Sequence, residues 1–144
     1  MLQVNVCDSM FIHDSQATRQ LGQQLATHLP FGSVLVLCGP LGAGKTTLVQ
    51  GLAEGLGFHG RVHSPTYTLI HEYPTPEGIL VHADFYRLPE QALTTLAIAD
   101  YLSEARLTAL EWANPVDFPG CYQIELDFQG EGRVARIIPP GPPE

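Results

Sequence analysis

The chain has 144 residues and a mass of 15.7 kDa, which fits one domain and leaves little room for a second. Hydrophobic residues make up 44%, too many for a disordered chain. Seven basic residues against 15 acidic ones leave a formal charge of −8, which argues against tight, sequence-independent nucleic-acid binding, because that depends on Lys and Arg neutralising phosphates.

No apolar run reaches the roughly 18–20 residues needed to cross a bilayer. The first residues have neither a basic start nor a long apolar stretch, so they do not read as a signal peptide. Cys7, Cys38 and Cys121 are far apart and odd in number, a pattern that fits neither a disulfide framework nor a zinc site. The expectation is a soluble cytoplasmic protein with no membrane partner.

In chain order, residues 2–7 alternate apolar and polar and predict a short edge strand. Asp14 or Ser15 is placed to cap a helix running to about residue 29, with Ala17, Leu21, Leu25 and Leu29 on one face. Val34-Leu35-Val36-Leu37 is the core of a strand over 33–38, of the kind buried on both faces in a parallel sheet. A glycine-rich turn follows, then a helix from Lys45 to about Leu56, ended by Gly57. Residues 58–66 read as a loop, 67–73 as a strand, 74–78 as a turn, and 79–83 as an apolar strand ending at Asp84. Residues 89–103 read as helical, 107–110 as an apolar run ending in Glu111, and 121–128 with 133–138 as a hairpin. This alternation predicts one α/β domain of the three-layer P-loop type over residues 1–138. It has a central mixed, partly parallel sheet flanked by helices, and a proline-rich, frayed tail at 139–144.

The strongest motif is Gly39-Pro40-Leu41-Gly42-Ala43-Gly44-Lys45-Thr46, a full match to G-x-x-x-x-G-K-[ST]. Glycines let the backbone wrap a phosphate with several N–H groups pointing inward. The helix that starts near Lys45 adds the positive end of its dipole. Lys45, the only lysine in the chain, is placed to reach the β- and γ-phosphates, and the Thr46 hydroxyl to ligate magnesium. The pattern arises by chance in roughly one chain of this length in two hundred. Here it also follows an apolar strand and opens a helix, as the mechanism requires.

Enzymes with this loop need an acidic residue at a second strand end. Asp84 and Glu111 both qualify. One would hold the metal through water while the other orients the attacking water, and spacing alone does not assign the roles. Asn114-Pro115-Val116-Asp117 resembles the guanine reader N-K-x-D but has proline in place of its lysine, which favours ATP over GTP. His82, two residues before Asp84, either positions a phosphate or packs, and we read it as packing. Trp112 either covers the site or fills core. Ser64-Pro65-Thr66 lies where switch loops of such proteins lie.

The phosphate loop with Thr47, then Ser64-Pro65-Thr66-Tyr67-Thr68-Leu69, then His82-Ala83-Asp84-Phe85-Tyr86-Arg87-Leu88, then Glu111-Trp112, form an ordered series over most of the chain. The series resembles the TsaE (YjeE) family, small P-loop ATPases of bacterial tRNA threonylcarbamoyladenosine synthesis. The resemblance implies binding of ATP and magnesium and slow hydrolysis by the protein alone. It also implies association with the TsaD–TsaB pair, which modifies adenosine 37 of tRNA and is reset by the ATP cycle, so that tRNA is met indirectly. By similarity, Gly42, Ala43, Gly44, Lys45, Thr46 and Thr47 hold phosphates, and Thr46 and Glu111 hold magnesium. Asp84 assists hydrolysis, Ser64 and Thr66 belong to a switch-like loop, and Trp112 lies near the nucleotide. Thr18 and Arg133 match positions near the adenine. The chain departs from the family at Pro40, where Asp is frequent, at Gln50-Gly51, where Arg-Gly is usual, and at Ala113-Asn114-Pro115, where Pro-Glu and a basic residue commonly stand.

Two other functions are compatible with the motifs. One is a nucleotide-dependent clamp without useful hydrolysis. The other is a small metabolite kinase, for which a lid and several arginines around the transferred phosphate are hard to place in a chain this short.

Overall fold

The computed structural model describes residues 9–40, 42–62, 70–84, 104–115 and 118–140. These form seven strands and two helices: β1 (Ser9–Ile12), α1 (Ser15–His28), β2 (Ser33–Cys38), α2 (Lys45–Gly55), β3 (Ile70–Thr75), β4 (Gly78–Asp84), β5 (Ala105–Glu111), β6 (Tyr122–Gln129) and β7 (Gly132–Ile138). One sheet holds all seven strands in the order β1-β7-β6-β2-β5-β4-β3. The central strands β6, β2, β5 and β4 are parallel, and antiparallel strands close both sides. This is the mixed, partly parallel α/β sheet expected from the sequence. The expected helix at 89–103, which would supply a layer on the second face, lies outside the described residues, as do the expected strand at 2–7 and the end of the tail.

Strand alternation divides the core in two. Leu35 and Leu37 of β2, Leu107 and Ala109 of β5 and Ile124 and Leu126 of β6 share a core with the buried faces of α1 and α2. Val36, Ala83, Leu110 and Cys121 form a smaller cluster with Val34, Cys38, Ala113 and Phe118 packed against it. Both described cysteines are free thiols. Burial pushes the Cys38 and Cys121 thiols above the usual range.

Asp14 caps α1, its side chain accepting from Ala17 N at 2.9 Å. At the other end, Arg106 of β5 donates to the carbonyls of Ala26 (3.2 Å), Leu29 (2.9 Å) and Pro30 (3.1 Å). A guanidinium from the sheet thus reaches the carbonyls of Ala26 and Leu29 at the helix end, where the last carbonyls have no partner further along the helix. α1 and α2 meet backbone to backbone. A Cβ on Gly51 would stand 2.1 Å from the Arg19 carbonyl oxygen, and one on Gly22 2.4 Å from that of Leu48. Beside this crossing, the Glu54 carboxylate accepts from Arg19, Gln23 and Gln50. The hydrogen bond from Arg19 is the main influence holding that carboxyl below the usual range.

Three boundaries differ from the sequence reading, the third being the start of β5, which begins at Ala105 rather than at 107. β1 at Ser9–Ile12 is additional to the strand expected at 2–7; only Ile12 is buried, and the outward Phe11 hides the alternation. The turn expected at 74–78 shrinks to Pro76 and Glu77, because β3 runs on through Pro74 to Thr75. A proline is tolerated there because β3 is the last strand of the sheet among the described residues, which place no neighbour on its outer side. The end of β5 at Glu111 agrees with the sequence reading; the strand stops where Trp112 enters the left-handed region at φ 61.

Gly51→Ala is expected to destabilise the protein by about 1–3 kcal/mol, since backbone must move to admit the methyl group. A lower urea midpoint with an unchanged slope would show it. Trp112→Gly is expected to be more stable than Trp112→Ala by about 0.5–1 kcal/mol. Glycine escapes the left-handed penalty, less its greater unfolded-state freedom. The same pair of urea curves measures the difference.

Candidate functional site

The phosphate-loop motif joins the end of β2 to the start of α2, at the carboxyl ends of the parallel strands, where open α/β sheets place their ligands. Gly39 leaves β2 at φ 147, and a Cβ there would lie 2.1 Å from the Leu126 carbonyl oxygen of β6. Only glycine lets the loop start this close to the neighbouring strand. Gly44, at φ 110, is the N-cap of α2 and offers no capping side chain. The first-turn N–H groups of α2 are therefore not capped by that residue and suit an anionic acceptor. Ala43 is buried beneath the loop, its N–H bonded to the Pro40 carbonyl at 3.1 Å.

Lys45 is only 6% exposed, although its charge would ordinarily seek water. Its Nζ donates to the Gly39 carbonyl at 2.7 Å and lies 4.0 Å from the centre of the Trp112 ring. The ammonium is thus held inside the loop by one carbonyl and one aromatic face. Trp112 itself is 46% exposed, so it covers the site from outside rather than filling core, one of the two readings its sequence left open. Thr46 and Thr47 occupy the first turn of α2, both partly buried.

Strand register brings the two acids together. Leu37, Glu111 and Asp84 are successive partners across β2, β5 and β4. Glu111 and Asp84 therefore stand side by side on adjacent strands, about 4.8 Å apart along the hydrogen-bonding direction. They share the sheet face of Leu37, which is the face covered by α2. Glu111 is 6% exposed, and Asp84 is partly exposed. His82 is fully buried, as its reading as a packing residue requires, but it also makes a bond that reading did not include. Its Nε2 lies 2.5 Å from Glu111 Oε2. The signal was present in the sequence as a histidine two residues before one acid, but its partner is on a different strand.

The remaining expected residues ring the loop. Thr18 is 2% exposed, with its methyl group 3.5 Å from where a Gly44 Cβ would stand. Its hydroxyl donates back along α1 to the Asp14 carbonyl at 3.4 Å. Arg133 donates to the Gly42 carbonyl at 3.2 Å and lies over the Phe128 ring at 4.3 Å. Phe128, its register partner on β6, was not singled out in the sequence. Neither was the contact of Gln50, whose Oε1 accepts from Val62 N at 2.7 Å while its Nε2 donates to the Gly60 carbonyl at 3.1 Å. Ser64 and Thr66 lie outside the described residues.

The donor set fits a nucleotide phosphate with a divalent ion. Among the described residues no three His, Cys, Asp or Glu side chains gather into a metal cage. One hydroxyl and one or two carboxylates beside a phosphate loop is instead the set magnesium uses, since it takes its other ligands from phosphate and water. Glycine-framed amides and one buried ammonium supply the positive side.

Residues 12–137 match the family model described as threonylcarbamoyl adenosine biosynthesis protein TsaE. The tRNA threonylcarbamoyladenosine biosynthesis protein TsaE of Synechocystis is 45% identical over 106 residues, which span 71% of this chain and 68% of that one. The protein of the same name from Nostoc is 40% identical over 137 residues, covering 90% and 85%. That from Aquifex aeolicus is 37% identical over 126 residues, covering 86% and 90%. The crystal structure of Bacillus subtilis YdiB superposes with a TM-score of 0.74 at 26% identity, over 95% of this chain and 89% of that one. The loop, the paired acids and the sheet that carries them thus sit within a match spanning nearly the whole chain, and the protein belongs to the TsaE family of threonylcarbamoyl adenosine biosynthesis proteins.

Proposed function

We propose that this protein binds ATP with magnesium and hydrolyses it as the ATPase component of the tRNA threonylcarbamoyladenosine system. In this reading it works in the cytoplasm and resets a TsaD–TsaB pair rather than carrying out the transfer. The observation that supports the reading best is the union of one buried ammonium, a glycine-framed helix start and two level carboxylates at the ends of adjacent parallel strands. Family membership supplies the pathway.

In this reading the amides of 42–47 and the Lys45 ammonium hold the phosphates, and Thr46 and Glu111 hold magnesium. Magnesium, when bound, offsets charge on the β- and γ-phosphate oxygens. Asp84, beside Glu111 and nearer solvent, orients the attacking water and accepts its proton. Lys45 exchanges the Gly39 carbonyl for phosphate oxygens, which are stronger acceptors because they are charged. Arg133 and Thr18 border the loop on the side proposed for the adenine, and Trp112 shields it. The protein's acidic balance leaves tRNA contact to the partners.

The deciding experiment mixes the protein with magnesium and ATP, with and without purified TsaD–TsaB, and follows phosphate release and tRNA modification. Release that rises with the pair is expected. ATP binding without turnover in any mixture would establish a clamp instead, and phosphate transfer to an added metabolite a kinase.

Lys45→Ala is expected to lose about 1.5–3 kcal/mol of ATP binding, roughly a 10- to 150-fold weaker Kd by titration calorimetry. An unchanged Kd would overturn the assignment of the phosphate site. Glu111→Gln is expected to blunt the dependence of nucleotide affinity on magnesium. Asp84→Asn should keep that dependence and slow hydrolysis. The opposite pattern in the two magnesium titrations would exchange the roles of the acids.

A further inference from the structure

His82 is a buried polar group that the proposed chemistry does not use. Its side chain is completely enclosed in β4, and its Nε2 lies 2.5 Å from Glu111 Oε2. Its Nδ1 is buried and has no hydrogen-bond partner among the described residues. Its own register partner on β5 is Ala109, so the ring reaches one step diagonally along that strand to meet Glu111. Here an apolar side chain would pack without stranding a polar atom, and a half-satisfied buried imidazole is the less stable choice for packing alone. The structure therefore ties this histidine to something other than filling space.

We infer that His82 is a positioning residue for Glu111, holding one carboxylate oxygen from inside the sheet through a proton fixed on Nε2. An ionised carboxylate only accepts hydrogen bonds, so the ring must donate. The tautomer protonated at Nε2 leaves a lone pair on the unpartnered Nδ1, whereas the other tautomer would bury an N–H with no acceptor and place a bare nitrogen against the carboxylate. With Oε2 held, Glu111 cannot turn freely about its side-chain bonds, and Oε1 remains as its second acceptor. A ligand held in this way is set before a metal arrives, which is how groups behind a coordinating side chain raise metal affinity. The magnesium side of this inference rests on the proposed function. The hydrogen bond between the two side chains does not.

Two measurements test it. In nucleotide-free protein, long-range proton–nitrogen correlation spectra at pH 7.5 should show His82, assigned by its absence in His82→Gln, protonated on Nε2. That preference should be lost in Glu111→Ala. Protonation on Nδ1, or a spectrum indifferent to Glu111→Ala, would overturn the inference whatever the protein binds. In the second measurement, the Kd of a non-hydrolysable ATP analogue is followed against magnesium concentration. His82→Leu keeps the bulk but not the donor, and it should need about 10-fold more magnesium for the same gain in affinity, with metal-free binding unchanged. His82→Gln, whose Nε2 stands near that of the ring, should recover most of the loss, and it decides the matter if the leucine variant does not fold. Wild-type magnesium dependence in both variants would overturn the positioning role. A wild-type protein that bound no nucleotide would instead refute the proposed function and leave the spectroscopic result to judge the bond.

Discussion

The site depends on the register of three parallel strands. A shift of one residue between β4 and β5 would turn Asp84 away from Glu111 and send His82 to the opposite face, because side chains alternate along a strand. What fixes the register is apolar: Leu80 pairs with Leu107 and Ala83 with Leu110, while β2 sets Leu35 beside Ala109 and Val36 beside Leu110. Almost all of these side chains are fully enclosed, so slippage would expose or mismatch both core clusters together. The polar ends of the strands are carried into place by the hydrophobic middles. The candidate site residues Glu111 and Asp84 sit where that packing stops, at the last residues before each strand leaves the sheet.

The loop is held from the other side by helix packing. α1 contributes no charged group to the loop, yet it forms one wall of it, because Thr18 lies against Gly44. That wall is as near as it is only because Gly22 and Gly51 allow the two helix backbones to touch. Arg106 anchors the far end of α1 to β5, the strand that ends in Glu111. One strand thus carries an acid of the site at its carboxyl end and, near its start, the guanidinium that secures the helix lining the loop. Motion of α1 relative to the sheet would be felt at both places.

Those features that lie contiguously in the chain were legible in the sequence. The phosphate loop, β2 before it and α2 after it occupy one unbroken stretch, and their boundaries match the structure within a residue. Both acids were visible because each ends an apolar run. Contacts made across strands were not. His82 reads as one more residue of a buried strand, and only register shows that its ring meets Glu111. Arg106 stands just before the apolar run 107–110, and nothing near it in the chain points to its acceptors, which lie more than 70 residues earlier. Phe128 reads as one aromatic of a hairpin until Arg133 is seen to pair with it beside Gly42. β1 was missed for a different reason: four residues with one buried side chain give no usable alternation.

Gln50 shows how one side chain of α2 can bind both a donor and an acceptor of the chain that follows the helix. At this position of α2 the chain places a carboxamide that both accepts from Val62 N and donates to the Gly60 carbonyl. An arginine has donors only, so it could reach the Gly60 carbonyl but would leave the Val62 N–H without its acceptor. The glutamine therefore fastens the backbone of 60–62 to the outer side of α2 from two directions, and its Nε2 also reaches Glu54, already engaged with Arg19. The clasp lies just before the Ser64-Pro65-Thr66 segment. The backbone of 60–62 is thereby tied to the same helix whose first turn follows the phosphate-loop motif.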